Sequence, residues 1–328
     1  MSKSFPNPKQ IRNIYEQAYV AQILRIAILL DIFSYLKEGR SSANSVADMS
    51  NNNPVGTEKL LECLYSYGLL EKVDHEYFLT DTTRTFFLKD SSAYVGDWLL
   101  EVTNPVVFEG ILDSIKTGKK ISRSLPWHQL AWSESYAVDR IEDSLSLWEK
   151  AGVQPGSDSD FHVLDLACGS GVVSLALAQR YPKVRVTGVD SSEVVKAAED
   201  LAKRLFVQDQ ADFIDGDVHL MSFEEEKYDA VLLGNVTGFF TVQQNKDLFM
   251  KIHQSLKPGG KLLLDVTMKR QLNMRHENLG ITSLLLWSIW GTEYYSYEEY
   301  EEWLISVGYV EVTQLSSLWL IANKAISK

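Results

Sequence analysis

At 328 residues the chain exceeds the usual size of a single domain and has room for two, each with a full core. Its formal net charge of −12 opposes generic binding to a polyanion such as DNA, and its two cysteines, Cys63 and Cys168, provide neither a disulfide framework nor a zinc cluster. So few thiols suit a reducing, cytoplasmic setting, and no metal is expected.

Residues 1–10 lack the apolar core of a secretion signal. The run ILRIAILLDIF at 23–33 is too short for a membrane span and carries Arg25 and Asp31, so it reads as a buried helix. In chain order, 8–37 predicts one or two long helices, 43–49 and 57–67 two shorter ones, and 68–81 a small hairpin around Asp74 and His75. Helix, helix, hairpin is the pattern of a winged helix. The helix placed to read DNA, 57–67, carries only Lys59 beside Glu58 and Glu62, too little positive charge to neutralise phosphates. A packing or dimerisation module is the better reading, and the apolar helix at 23–33 favours a homodimer.

The polar, turn-rich stretch 152–160 separates this helical text from alternating strands and helices. Strands are expected at 161–167, 184–189, 212–214, 228–234 and 261–267, and helices near 172–180, 193–205, 243–256 and 296–307. Such alternation predicts an α/β fold with a doubly wound, largely parallel sheet. The expected organisation is 1–90 as a helical, winged-helix-like dimerisation domain, 91–155 as a helical linker contributing to the substrate pocket, and 156–328 as the α/β domain.

Within that domain VLDLACGSGVVSLALA, 163–178, is a strand, a nearly bare turn and a helix. Free backbone N–H groups at the positive end of a helix suit a ligand approaching the main chain, as dinucleotides and adenosyl compounds do. The third glycine of a dinucleotide fingerprint would fall at Ser174, which counts against that cofactor. The next strand ends in Asp190, followed by Ser191. A carboxylate there can accept hydrogen bonds from a ribose diol. A third strand leads to Asp217 at the same edge, within reach of an adenine amino group.

DLACGSG, GVD, DGDV and LKPGGKLLL at 256–264 resemble the successive signature segments of class I S-adenosylmethionine (SAM) dependent methyltransferases. The helical domain before them is similar to that of the small-molecule O-methyltransferases of the hydroxyindole and caffeate type. The resemblance implies a Rossmann-like sheet of seven strands with the last antiparallel, SAM as cofactor, a homodimer formed through the N-terminal helices, and a substrate lying between the domains. It assigns Asp165, Ala167, Gly169 and Gly171 to the glycine-rich loop, Asp190 with Ser191 to the ribose, Asp217 and Val218 to the adenine, and Gly234 and Asn235 to the methionine part. Ala167 stands where the family commonly has glycine.

A larger departure concerns catalysis. Members that deprotonate a phenol carry a His-Asp-Trp type segment upstream of LKPGG. Counting back to that place gives Gly238, Phe239 and Phe240, with no histidine near. His162, His219 and His253 read as structural. His128 in PWHQLAW, His276 in MRHENLG and Asp265 at the end of KLLLDVT are the remaining catalytic candidates. Trp127, Trp132, Phe240, Trp287, Trp290 and Tyr294 suggest a pocket for a flat, largely apolar substrate, aromatic or polyketide-like. The leading expectation is in-line methyl transfer to oxygen, nitrogen or carbon without the usual histidine. A SAM-binding relative that promotes a cyclisation or rearrangement is the alternative, and a winged-helix regulator a second.

Overall fold

The computed structural model describes residues 8–121, 126–136, 139–156, 159–266 and 277–326. The chain divides into two compact units, Met1–Phe108 and Glu109–Lys328.

In the first unit, α1 (Lys9–Leu29) leads through a 3-10 turn at Ser34–Leu36 and β1 (Ser41–Ser42) to α2 (Ala43–Ser50) and α3 (Pro54–Ser66). Ser42 caps α2, and Asn53 caps α3 with Pro54 at its first position, where a missing N–H costs nothing. The expected hairpin is β2 (Leu70–Val73) and β3 (Glu76–Leu79), turning at Asp74 with φ +54°. Strand β1, too short to show an alternating pattern, pairs with β3 to complete a three-stranded wing in the order β1-β3-β2. Helices α4 (Asp81–Phe87) and α5 (Gly96–Val102) follow, and Phe87 stacks on Phe33 at 5.2 Å in a core with Ile28, Ile32, Leu61, Leu64 and Tyr77. The outer part of α1 has no such cover: Ile11, Ile14, Tyr15 and Tyr19 are each about half exposed or more.

The second unit carries α7 (Trp127–Ser135) and α8 (Asp139–Lys150), preceded by α6 (Pro105–Thr117). Then come β4 (Phe161–Leu166), α9 (Val172–Arg180), β5 (Val184–Asp190), α10 (Ser192–Arg204), β6 (Ala211–Asp215), β7 (Tyr228–Leu233), α11 (Val242–Ser255) and β8 (Leu256–Asp265). Helices α12 (Glu277–Trp290) and α13 (Tyr297–Ser306) precede β9 (Tyr309–Gln314) and β10 (Trp319–Lys324). The seven strands lie in the order β6-β5-β4-β7-β8-β10-β9, and β10, the last, runs antiparallel to β8 and β9. Strand β8 begins five residues before the expected 261 because Leu256 already pairs with Tyr228, with a register shift before Ala230.

Alternation sorts the strands onto two cores. Leu164, Leu166, Leu262 and Leu264 face α11 and α13, while Val163 and Leu263 face α8, α9 and α10. Asp165, Leu232 and Leu263 are register partners in one row across β4, β7 and β8. Asp265, two residues beyond Leu263, therefore continues that face at the carboxyl edge of the sheet, where open α/β sheets hold their ligands.

Candidate active site

Three glycines with different tasks shape this edge of the sheet, two in the turn after β4 and one in the turn after β7. Gly169, at φ +56°, faces open space, so backbone here is accessible to a ligand. Gly171, at φ +69°, is the N-cap of α9, and an added Cβ would press on Ala198 and Leu175 at 3.3 Å; its bareness serves helix packing. At Gly234 a Cβ would meet the Ala167 carbonyl at 2.5 Å, so this glycine lets the turns after β4 and β7 approach. Ala167 is itself left-handed, at φ +53°, which costs a residue with a Cβ about 1–2 kcal/mol.

Asp190 ends β5 beside this turn. Its Oδ2 accepts the Gly169 N–H at 3.0 Å and its Oδ1 accepts the Ser191 N–H at 2.7 Å, leaving each oxygen a lone pair for a further donor. Burial raises its pKa above the ordinary carboxylate range, opposed by those two N–H groups. Asp165 is buried under the turn and accepts the Ser174 hydroxyl of α9. Burial pushes its pKa up to about 7, with the Ser174 bond opposing and the Asp190 charge adding to the rise. The Cys168 thiol is driven well up by burial and keeps its proton.

These groups open onto one cavity of about 590 Å³, within the usual range for small-molecule sites. Of the residues expected to hold the cofactor, Asp165, Ala167, Gly169, Asp190, Ser191, Gly234 and Asn235 line it. Gly171 lies behind the turn. Asp217 and Val218 are not in the lining: Asp217 is exposed and accepts the His219 N–H, while Val218 is packed in the core.

The acceptor end is more rearranged. Trp127 and Trp290 line the cavity with ring centroids 5.3 Å apart, and Phe239 meets Trp290 edge-on at 5.8 Å. Phe239 thus takes the place expected of Phe240, whose ring turns away to pack on His219 at 4.0 Å. A 3-10 turn at Thr237–Phe239 sets these neighbouring rings in different directions. Trp132 packs instead against Ala131, Val194 and Ala197, and neither Trp287 nor Tyr294 reaches the lining.

Asp265 lines the cavity and His128 does not: its Nδ1 lies 3.4 Å from Glu193 on α10. His276 lies outside the described residues, and among those described no histidine lines the cavity. At Gly238 a Cβ would stand 2.7 Å from both the Glu293 carbonyl and Thr292 Cγ2, and the Gly238 carbonyl accepts the Glu293 N–H at 2.9 Å. The place counted for the base is filled by the Glu293 backbone and the Thr292 side chain.

Two lining residues gave no sequence signal. Glu134 on α7 and Arg140 on α8 pair at 3.3 Å, and Arg140 is the one cation in the described lining. Helix α7 is held to α10 by Arg204, whose guanidinium donates to the Ser135 carbonyl and hydroxyl and lies 4.2 Å from the Tyr136 ring centroid.

A parallel sheet with an antiparallel last strand, a glycine turn with open backbone and an acid ending the next strand together fit an adenosyl ligand. The comparisons agree. A methyltransferase domain matches residues 163–260, and an O-methyltransferase dimerisation domain matches residues 13–89. The chain belongs to the class I SAM-dependent methyltransferases, of the small-molecule O-methyltransferase type with an N-terminal dimerisation domain. It is 23% identical over 321 residues to the tetracenomycin polyketide synthesis 8-O-methyl transferase of Streptomyces glaucescens, covering 93% of this chain and 92% of that one. It is 22% identical to the bacteriochlorophyllide d C-20 methyltransferase of Chlorobaculum tepidum, over 89% of this chain and 88% of that one. In fold it is similar to human N-acetylserotonin methyltransferase in complex with SAM, with a TM-score of 0.66, 20% identity, and coverage of 99% of this chain and all of the other.

Proposed function

We propose that this enzyme transfers the methyl group of SAM to a small, flat, largely apolar metabolite, aromatic or polyketide-like, without a histidine base at the family's usual position. The observation carrying this reading is that Trp127, Phe239 and Trp290 line the same cavity as the glycine turn and Asp190. Aromatic side chains offer a planar ligand large contact area with defined geometry. The two relatives matched over nearly their whole length, one named for a polyketide and one for a bacteriochlorophyllide, support such an acceptor.

SAM supplies an electrophilic methyl group on a sulfonium. In this chain Asp190 would grip the ribose diol, the Gly169 backbone would allow close approach, and Gly234 and Asn235 would flank the methionine part. Arg140, the one cation in the described lining, is suited to the methionine carboxylate. The acceptor is held against the aromatic wall. Holding reactants in line is worth roughly 7–11 kcal/mol, against about 10²–10⁴ in rate for a general base, so positioning is the larger contribution. The exposed Ile11, Tyr15, Tyr19 and Ile26 on α1, at four- and seven-residue steps, support assembly as a homodimer through this helix.

The test is a panel of phenolic, naphtholic and polyketide-like acceptors incubated with methyl-labelled SAM and read by mass spectrometry. Label in a product supports the reading. If SAM binds and a panel member is rearranged without gaining label, the closed Gly238 position favours the non-methylating alternative.

A further inference from the structure

Asp265 is the least explained group in the cavity. Its carboxyl lines the space at the carboxyl edge of β8, opposite Trp319 of β10, and among the described residues it has no hydrogen-bond or ion-pair partner. The other ionisable lining groups have roles or surroundings that set them apart. Asp165 is buried beneath the turn and accepts from Ser174, and Asp190 is the carboxylate proposed to hold the ribose. Glu134 pairs with Arg140, a permanent cation, and Cys168 already holds its proton. A half-buried carboxylate that faces a cavity with no such partner among the described residues is costly in a merely structural place, and such groups concentrate at functional sites.

We propose that Asp265 receives the acceptor's proton during methyl transfer, so that the acceptors of this enzyme bear an ionisable O–H or N–H on the atom methylated. This rests on the methyltransferase reading above and narrows it. The acceptor's lone pair forms the bond to the methyl carbon, and the carbon–sulfur bonding pair remains on sulfur as a neutral thioether. The acceptor's proton passes to a carboxylate oxygen of Asp265, which becomes a carboxylic acid and later returns the proton to water.

The charged groups facing Asp265 among the described residues are Arg140 from α8 and Glu134 from α7; Trp319, beside it on β10, carries none. Burial is the dominant influence and pushes the pKa up to about 7, with Arg140 lowering it and Glu134 raising it. The carboxylate form is therefore present above neutral pH, yet basic enough there to take a proton.

Three measurements decide it. In the full-length enzyme, ¹³C carboxyl NMR with Asp265→Asn as the assignment control should show Asp265 titrating near neutrality. Titration in the ordinary carboxylate range overturns the proposal without any acceptor being known. Calorimetry should give Asp265→Asn the wild-type affinity for SAM within about threefold. With an acceptor from the labelled panel, kcat of the wild type should rise with pH to a plateau above about 7. Asp265→Asn should lose roughly 10²–10⁴ of kcat and that pH dependence, while Asp265→Glu retains part of the activity and the rise. A loss below tenfold, or an unchanged pH profile, overturns the assignment. A panel in which nothing is methylated overturns the function it rests on, and the NMR titration still reports on Asp265 separately.

Discussion

The turns after β4 and β7 leave neighbouring parallel strands at the same edge of one sheet, yet one is open and the other filled. After β4, Gly169 faces free space and backbone is available to a ligand. After β7, Gly238 is pressed against the Glu293 backbone and the Thr292 side chain. The open turn is specified locally, by small residues next to a strand and a helix. The filled turn depends on contact with a segment more than fifty residues away, so its closure is a matter of packing as well as of residue type.

The largest effect is expected at the open turn. Asp190→Ala should leave a folded protein and weaken SAM binding by roughly 10- to 150-fold for each lost bond to the carboxylate, read by calorimetry. Unchanged affinity would remove the ribose role. At the closed end, Gly238→His should fail to restore a base and should destabilise the fold by about 1–3 kcal/mol in thermal unfolding, because the new side chain displaces backbone. Faster turnover with an unaltered melting temperature would mean the turn has room after all.

The third effect is on pH-dependent stability. Asp165 and Asp265 both have folded-state pKa values raised to about 7, so from about pH 4 to pH 7 the folded protein retains protons that the unfolded chain has released. Their contribution to stability is full below about pH 4 and is lost as pH rises through 7. Asp265→Asn should therefore flatten part of that decline and raise stability at pH 8 by on the order of 1–2 kcal/mol, measured by denaturant titration at several pH values. A smaller effect is expected at the aromatic wall. Trp290→Ala should raise the acceptor's KM by roughly 2- to 12-fold while leaving SAM affinity unchanged.

Much of the α/β unit was legible because its signals are local. Strand β4, helix α9 and Asp190 at the end of β5 stand where alternation, turn residues and charge placed them. The cofactor side of the cavity follows from those elements, with Gly171 reassigned to packing. The acceptor side was legible only as composition. An aromatic cluster could be seen, but a single 3-10 turn exchanges Phe239 for Phe240, and helix α7 turns Trp132 and His128 toward α10. Glu134 and Arg140 left no mark in the text because, as one acid and one base on polar helices, they look like any solvated pair. Asp265 was visible as a strand end, but its lack of a partner among the described residues is a property of the packed structure.

Methyl transfer without a histidine can be checked by single-turnover rates of His128→Ala, His219→Ala and His276→Ala beside the wild type, at saturating SAM. Each should fall by less than about tenfold, since His128 engages Glu193 and His219 packs on Phe240 outside the cavity lining. A loss of about a thousandfold in any one of them, with SAM still bound, would contradict the claim and make that histidine the relocated base.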